Sequence, residues 1–162
     1  MLLANLRIGH GYDVHQLVEE RVLVICGVVI DYHKGSLGHS DGDVGIHAIC
    51  DAILGALALG DLGTHFSSSD SKWSGQDSRT FLNHVLKLMN DEGYHINNID
   101  CTIILQSPHL NIYIKSMRKI IAEICQININ MVSIKATTTD KLGAIGRGEG
   151  IGASAIVLLE KQ

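Results

Sequence analysis

The chain has 162 residues, 46% of them apolar and 19% charged, with a formal net charge of −4 when histidine is neutral. That length suits one domain of about 100–200 residues with its own core, and that composition excludes a disordered chain. The mild acidity argues against an electrostatic nucleic-acid binder, and the longest apolar runs (22–30, 52–60 and 151–159) fall short of the roughly 20 residues a membrane helix needs. Residues Met1 to Arg7 have no basic flank and no long apolar stretch, so no signal peptide is expected. Cys26, Cys50, Cys101 and Cys125 form no C-x-x-C pair and read as reduced, buried thiols of a cytoplasmic protein. Two counts stand out: nine histidines, and one proline where average usage predicts roughly eight.

In chain order, residues 6–15 and 21–30 carry β-branched runs about a Glu-Glu-Arg turn and read as two strands of a hairpin or meander. Residues 41–59 read as a helix, with Ser40 as candidate N-cap, Asp43 three residues on, and Ile46, Ile49, Ile53 and Leu57 at helical spacing. The stretch 60–76, rich in Gly, Ser and Asp, reads as a long loop of the kind that often carries function. Asp77 caps a second helix over 78–92, with Phe81, Val85, Leu88 and Met89 on one face and Gly93 as its stop. A strand follows at 99–106, a helix at about 110–125, a strand at 131–138, a glycine-rich turn at 143–150 and a last strand at 151–159. The order β-β-α-α-β-α-β-β defines a single α+β domain over 1–162, a mixed or antiparallel sheet with helices packed on one face. The apolar run from Ile151 to Leu159 predicts burial on both faces, in the core or at an interface.

Three groups of residues carry chemistry. Asp13 and His15 are two apart, so a strand points both to one side. With His47, one turn inside the first helix, they make a three-ligand set that leaves a fourth tetrahedral position open, as catalytic zinc requires. The same three residues would also serve as ordinary hydrogen-bonded polar groups. Thr137, Thr138, Thr139 and Asp140, followed by Gly146-Arg147-Gly148-Glu149-Gly150, suit phosphate and divalent-metal contacts, or a strand end and a hairpin turn. Asp61 and Gly63, with Phe66 and Asp70, lie in the long loop, where a solvated turn is the alternative.

As a set, these segments resemble a known family. G-H-G-Y-D-V-H at 9–15, H-S-D-G-D-V-x-x-H at 39–47, D-L-G at 61–63, D-S-R at 77–79, K-A-T-T-T-D-K-L-G at 135–143 and G-R-G-E-G at 146–150 resemble the 2-C-methyl-D-erythritol 2,4-cyclodiphosphate synthases of the non-mevalonate isoprenoid pathway, over residues 7 to 160. The resemblance implies a lyase-type cyclisation of 4-diphosphocytidyl-2-C-methyl-D-erythritol 2-phosphate with release of CMP, in a cytoplasmic homotrimer with shared active sites. It places zinc on Asp13, His15 and His47. A second cation, magnesium or manganese, falls on Asp140, bridging the diphosphate. His39 and Thr138 match residues that orient phosphate and stabilise the transition state. Ser40, Asp61, Gly63, Phe66, Asp70, Thr137, Thr139 and Arg147 match substrate contacts, although an ion pair between Arg147 and Glu149 at an interface is an equal reading. Leu105, Gln106, Ser107, Pro108, His109 and Leu110 match the nucleotide-binding segment.

The chain departs from the family pattern at three points. Asp140 stands where a Glu is usual, and a carboxylate one methylene shorter still suits magnesium, which keeps several waters. The proline usual after Phe66 is absent, which removes a fixed φ from that loop. His109 stands where a lysine is usual, and an imidazole, unlike an ammonium, is only partly charged at neutral pH. A zinc phosphohydrolase or a non-catalytic isoprenoid-binding module on the same residues are the competing functions.

Overall fold

The computed structural model describes residues 5–38, 40–67, 73 and 75–162. Two expected site residues, His39 and Asp70, lie outside the described residues. In chain order the elements are β1 (Leu6–Glu19), β2 (Leu23–Ile25), β3 (Val28–Ile30), β4 (Lys34–Ser36), α1 (Val44–Leu57), α2 (Leu62–His65), α3 (Ser78–Asp91), β5 (Tyr94–Ile104), α4 (Ile114–Cys125), a 3-10 turn (Ile129–Met131), β6 (Val132–Thr137), α5 (Gly143–Gly146) and β7 (Gly150–Lys161). Among the described residues, five strands form one mixed sheet in the order β4-β1-β7-β5-β6, parallel between β5 and β6 and antiparallel elsewhere. The α+β reading therefore holds, as does the placing of the main helices against one face.

Alternation sets which face is covered. Along β7, Ile151, Ala153, Ala155, Val157 and Leu159 are fully buried beneath the helices, while Ile156 on the opposite face is 44% exposed. Burial of this strand on both faces is thus not met within one chain. Along β1, Gly9 and Gly11 face α1 with almost no clearance. A Cβ on Gly9 would lie 1.8 Å from the Ala52 carbonyl oxygen, and one on Gly11 1.9 Å from that of Ala48. Only glycine lets strand and helix backbones approach so closely. Ile46, Ile49, Ile53 and Leu54 fill the interior side of α1.

Two local expectations are corrected. Residues 21–30 are not one strand paired to β1; they fold on themselves as the separate β2–β3 hairpin about Cys26 and Gly27. The edge partner of β1 is instead the short β4. The cap of α1 is Asp43, not Ser40: the Asp43 side chain accepts from the Ile46 N–H at 3.0 Å and, beyond the helix, from Cys26 N–H at 2.8 Å and Gly27 N–H at 2.7 Å. One buried carboxylate thereby ties the hairpin turn to the first turn of the helix. Asp77 caps α3 as expected, accepting from Arg79 N–H at 2.9 Å. All four cysteines are free, three of them buried, and burial pushes the thiols of Cys50 and Cys125 up, the latter to about 12.

Candidate active site

The seam between β1 and α1 creates the site. Gly9, Gly11, Asp13 and His15 share one face of β1, and the first two press on the α1 backbone at Ala52 and Ala48. Asp13 and His15 then project alongside the first turn of that helix, where His47 points back at them. Asp13 Oδ2 lies 2.9 Å from His47 Nδ1 and 3.0 Å from His15 Nε2, and the two ring nitrogens are 3.2 Å apart. Three donor atoms at these spacings fit a zinc ion, for which bonds of about 2.0–2.1 Å put tetrahedral ligands roughly 3.3 Å apart. They are the one group of this kind among the described residues.

The electrostatics match a cluster that wants a positive charge. Burial alone would raise the Asp13 carboxyl, but hydrogen bonds with His15 and His47, and the attraction of both rings, hold it well below the usual carboxylate range. Burial disfavours a charged His47 ring, yet the bonded Asp13 outweighs this and lifts the imidazole above its ordinary value. Asp51, one turn further along α1, is pushed up by burial against the Leu62 N–H that it accepts at 2.8 Å.

These residues line a cleft of about 470 Å³ with Ser40, Asp61, Leu62, Gly63, Phe66, Trp73 and Phe81. Asp61 caps α2, accepting from Thr64 N–H at 2.8 Å and the Thr64 hydroxyl at 2.9 Å, which lowers its pKa. Phe66 packs edge-on against Trp73, with centroids 4.9 Å apart, and against Phe81 at 4.7 Å. Asp51, Trp73 and Phe81 were not anticipated as part of the site. Asp51 was signalled by its i, i+4 spacing from His47 on one helix face; Phe81 carried no signal beyond core periodicity, and Trp73, within the stretch 60–76, carried none.

The 105–110 segment and the threonine run form a second cleft, lined by Leu105, Pro108, His109, Leu110, Ala136, Thr137 and Thr138. Leu105 and Leu110 are buried in its floor and His109 is exposed. Across the sheet, Val14 pairs with Gly152, Gly152 with Ile104, and Ile104 with Thr137. Three strand spacings put Thr137 about 14 Å from Val14, so one chain holds the Asp13, His15 and His47 cluster and the threonine run apart. In the turn after β6, Asp140 and Lys141 are both left-handed, at φ 50° and 66°. Gln106 Oε1 accepts the Lys141 N–H at 3.0 Å, so its side chain also braces this loop. The Thr138 hydroxyl donates to Asp140 Oδ1 at 3.3 Å, and that of Thr139 donates to the Leu142 carbonyl at 2.7 Å. Arg147 and Glu149 form an exposed ion pair at 2.7 Å within the chain. His10, on the same strand as Asp13 and His15, points to the opposite face of the sheet and contacts Ser154 at 3.0 Å.

Comparison with known proteins gives this arrangement its class. The sequence matches the YgbB family over residues 6–160, and the chain belongs to that family. A relative from Pseudoalteromonas atlantica, named 2-C-methyl-D-erythritol 2,4-cyclodiphosphate synthase, is 54% identical over 157 residues, covering 97% of each chain. One of the same name from Geobacillus kaustophilus is 55% identical, covering 96% of this chain and 98% of its own. Among solved structures, an IspF from Plasmodium falciparum in complex with CDP superposes with a TM-score of 0.86 at 36% identity, covering 98% and 97%. A bifunctional IspDF from Campylobacter jejuni reaches 0.94 at 38% identity, and this chain spans 42% of it.

Proposed function

We propose that the protein is a metal-dependent enzyme that cyclises 4-diphosphocytidyl-2-C-methyl-D-erythritol 2-phosphate to 2-C-methyl-D-erythritol 2,4-cyclodiphosphate and releases CMP. The observation that carries this is the convergence of Asp13, His15 and His47 in the wall of a cleft. In support, relatives carry the synthase name and solved homologues bind CDP. In the reaction an oxygen of the 2-phosphate attacks the β-phosphorus. The bond from that phosphorus to the bridging oxygen breaks, and CMP leaves with the electron pair. No protein nucleophile is needed, so the task is to hold two anionic groups in line.

Asp13, His15 and His47 would hold zinc and Asp140 a magnesium or manganese ion, which when bound would neutralise phosphate charge and polarise the P–O bonds. Asp61 and the Gly63 segment would receive the methylerythritol hydroxyls, with Phe66 shielding them from water. Ser40 and His39 would meet the phosphates. Thr137, Thr138 and Thr139 would flank the diphosphate, with Arg147 beside them and the 105–110 segment against cytidine.

The assembly would be a homotrimer with sites shared between copies. Ile8, Tyr12, Val14 and Ile156 are 71%, 54%, 47% and 44% exposed on the outer face of the sheet. An apolar patch of that kind on a sheet calls for a covering partner, and the two separate clefts of one chain would meet across such an interface. Neither nucleic acid nor a membrane is expected as partner: the formal net charge is −4, and no helix among the described residues is long and apolar enough to cross a membrane. A cytoplasmic location fits this reading.

The test is turnover of the diphosphocytidyl substrate followed by 31P NMR and CMP detection. CMP and the cyclic diphosphate appear, are lost with a chelator, return with zinc, and are lost in Asp13→Asn. Free phosphate in place of the cyclic product would favour a phosphohydrolase. No CMP release with metal present would defeat the proposal.

A further inference from the structure

We propose that Ser78 and Asp41 are positioning residues for the metal centre: together they force the ring proton of His47 onto Nε2 and leave Nδ1 free to bind the ion. This rests on the metal-site reading above. The two nitrogens of His47 face different surroundings. Nδ1 faces Asp13 and His15. Nε2 faces the Ser78 hydroxyl at 2.9 Å and that of Ser40 at 3.2 Å.

The direction of the hydrogen bonds follows from Asp41. Its carboxylate is ringed by donors: Oδ1 takes the Asp43 N–H at 3.2 Å and Oδ2 takes the Ser78 N–H at 3.1 Å. Oδ1 is also in close hydrogen-bond contact with the Ser78 hydroxyl. A carboxylate offers only lone pairs, so the hydroxyl is the donor there. Its single proton is then committed, and what Ser78 presents to His47 is a lone pair. His47 must donate from Nε2. An imidazole whose Nε2 carries the proton presents an unprotonated Nδ1 to Asp13 and His15 once it is neutral, which is the form a metal binds.

Ser78 is built for this and for little else. It is fully buried, and it opens α3 with its backbone N–H bound to Asp41. That N–H contact, with the Asp41 N–H donated to the Gln76 carbonyl at 3.1 Å, locks the start of α3 to the loop before α1. Ser40 is the looser neighbour. Its oxygen already accepts the Gly42 N–H at 3.2 Å, and it lines the cleft, where its proton can serve a ligand.

Zinc affinity of the full-length protein, measured by competition with a chromophoric chelator, tests the proposal, with thermal unfolding of each variant as the check on folding. Ser78→Ala weakens zinc binding by about 10–100-fold. Asp41→Asn, which replaces one acceptor oxygen with a donor, also weakens it. In the zinc-loaded wild type, imidazole NMR finds the His47 proton on Nε2 and slow to exchange, and Ser78→Ala speeds that exchange. Folded Ser78→Ala with wild-type zinc affinity overturns the proposal, as does a zinc-loaded wild type with Nε2 on the metal. If instead the wild type binds zinc no better than Asp13→Asn, the metal-site reading falls and this inference falls with it.

Discussion

Gly11→Ala tests whether the close approach of β1 and α1 builds the site. The new Cβ would lie 1.9 Å from the Ala48 carbonyl oxygen and 2.7 Å from the Ala52 nitrogen, where ordinary contact begins at 3.4 Å. Both neighbours are helix backbone in the centre of the core, so neither gives way as a side-chain tip would. The helix must withdraw by the shortfall, about 1.5 Å, in an interior packed as densely as a crystal. Overpacking of this kind costs typically about 1–3 kcal/mol, and backbone displacement puts this case near 3 kcal/mol, or roughly 6–12 °C in Tm for a chain of this size. The same retreat carries His47 away from Asp13, whose atoms are 2.9 Å apart, so zinc affinity falls together with stability. Calorimetry and zinc titration on one preparation measure both. Gly93→Ala is the control: nothing lies within 4 Å of its Cβ, and its φ of +77° costs about 1–2 kcal/mol through the backbone alone, with zinc binding intact. A Gly11→Ala protein within 1 kcal/mol of wild type and with unchanged zinc affinity would refute the argument.

The Asp43 carboxyl is lifted by burial to about 6, above 3.8, against the pull of its three backbone donors. The folded state therefore holds this proton more tightly than the unfolded chain does. Its contribution is fully present below about pH 4 and is lost as pH rises through 6, about 3 kcal/mol in all. Urea unfolding of wild type and Asp43→Asn between pH 4 and 7.5 should show wild type losing ground by that amount; a constant difference would contradict it. At the second cleft, where His109 is exposed, His109→Lys, which sets a permanent positive charge there, is expected to lower the KM for the proposed diphosphocytidyl substrate severalfold; an unchanged KM would remove any charge role for this position.

Much of this fold is legible because periodicity reports burial. Ile46, Ile49, Ile53 and Leu57 mark the buried side of α1, and Phe81, Val85 and Met89 that of α3. The β2–β3 hairpin was not legible, since a β-branched run reads alike whether it pairs with β1 or with itself; the left-handed Cys26 and Gly27 at its turn decide it. Ser40 and Asp43 are both good caps by type, and the difference lies in the buried N–H groups of Cys26 and Gly27, distant in sequence. The convergence of Asp13, His15 and His47 was legible from strand alternation plus one helical residue. The close packing of Gly9 and Gly11 was not, because a glycine shows what it permits only once the opposing backbone is in place. The same holds for Ser78, whose part depends on Asp41 and His47 arriving from another segment.

The pairing of β1 with β7 has a consequence for how the protein forms. His10 lies opposite Ile156, and Asp13 opposite Ala153, so the strand that bears two of the three proposed ligands finds its main partner some 140 residues later. Closing so long a loop is entropically slow, and contacts of this separation dominate slow-folding topologies. During synthesis, α1 and the β2–β3 hairpin can assemble early, but apart from its short pairing with β4, β1 stays an open edge until β7 emerges. The cleft is therefore a late product of folding. A chain cut before residue 150 would keep all three proposed ligands and still lack the sheet that aims them.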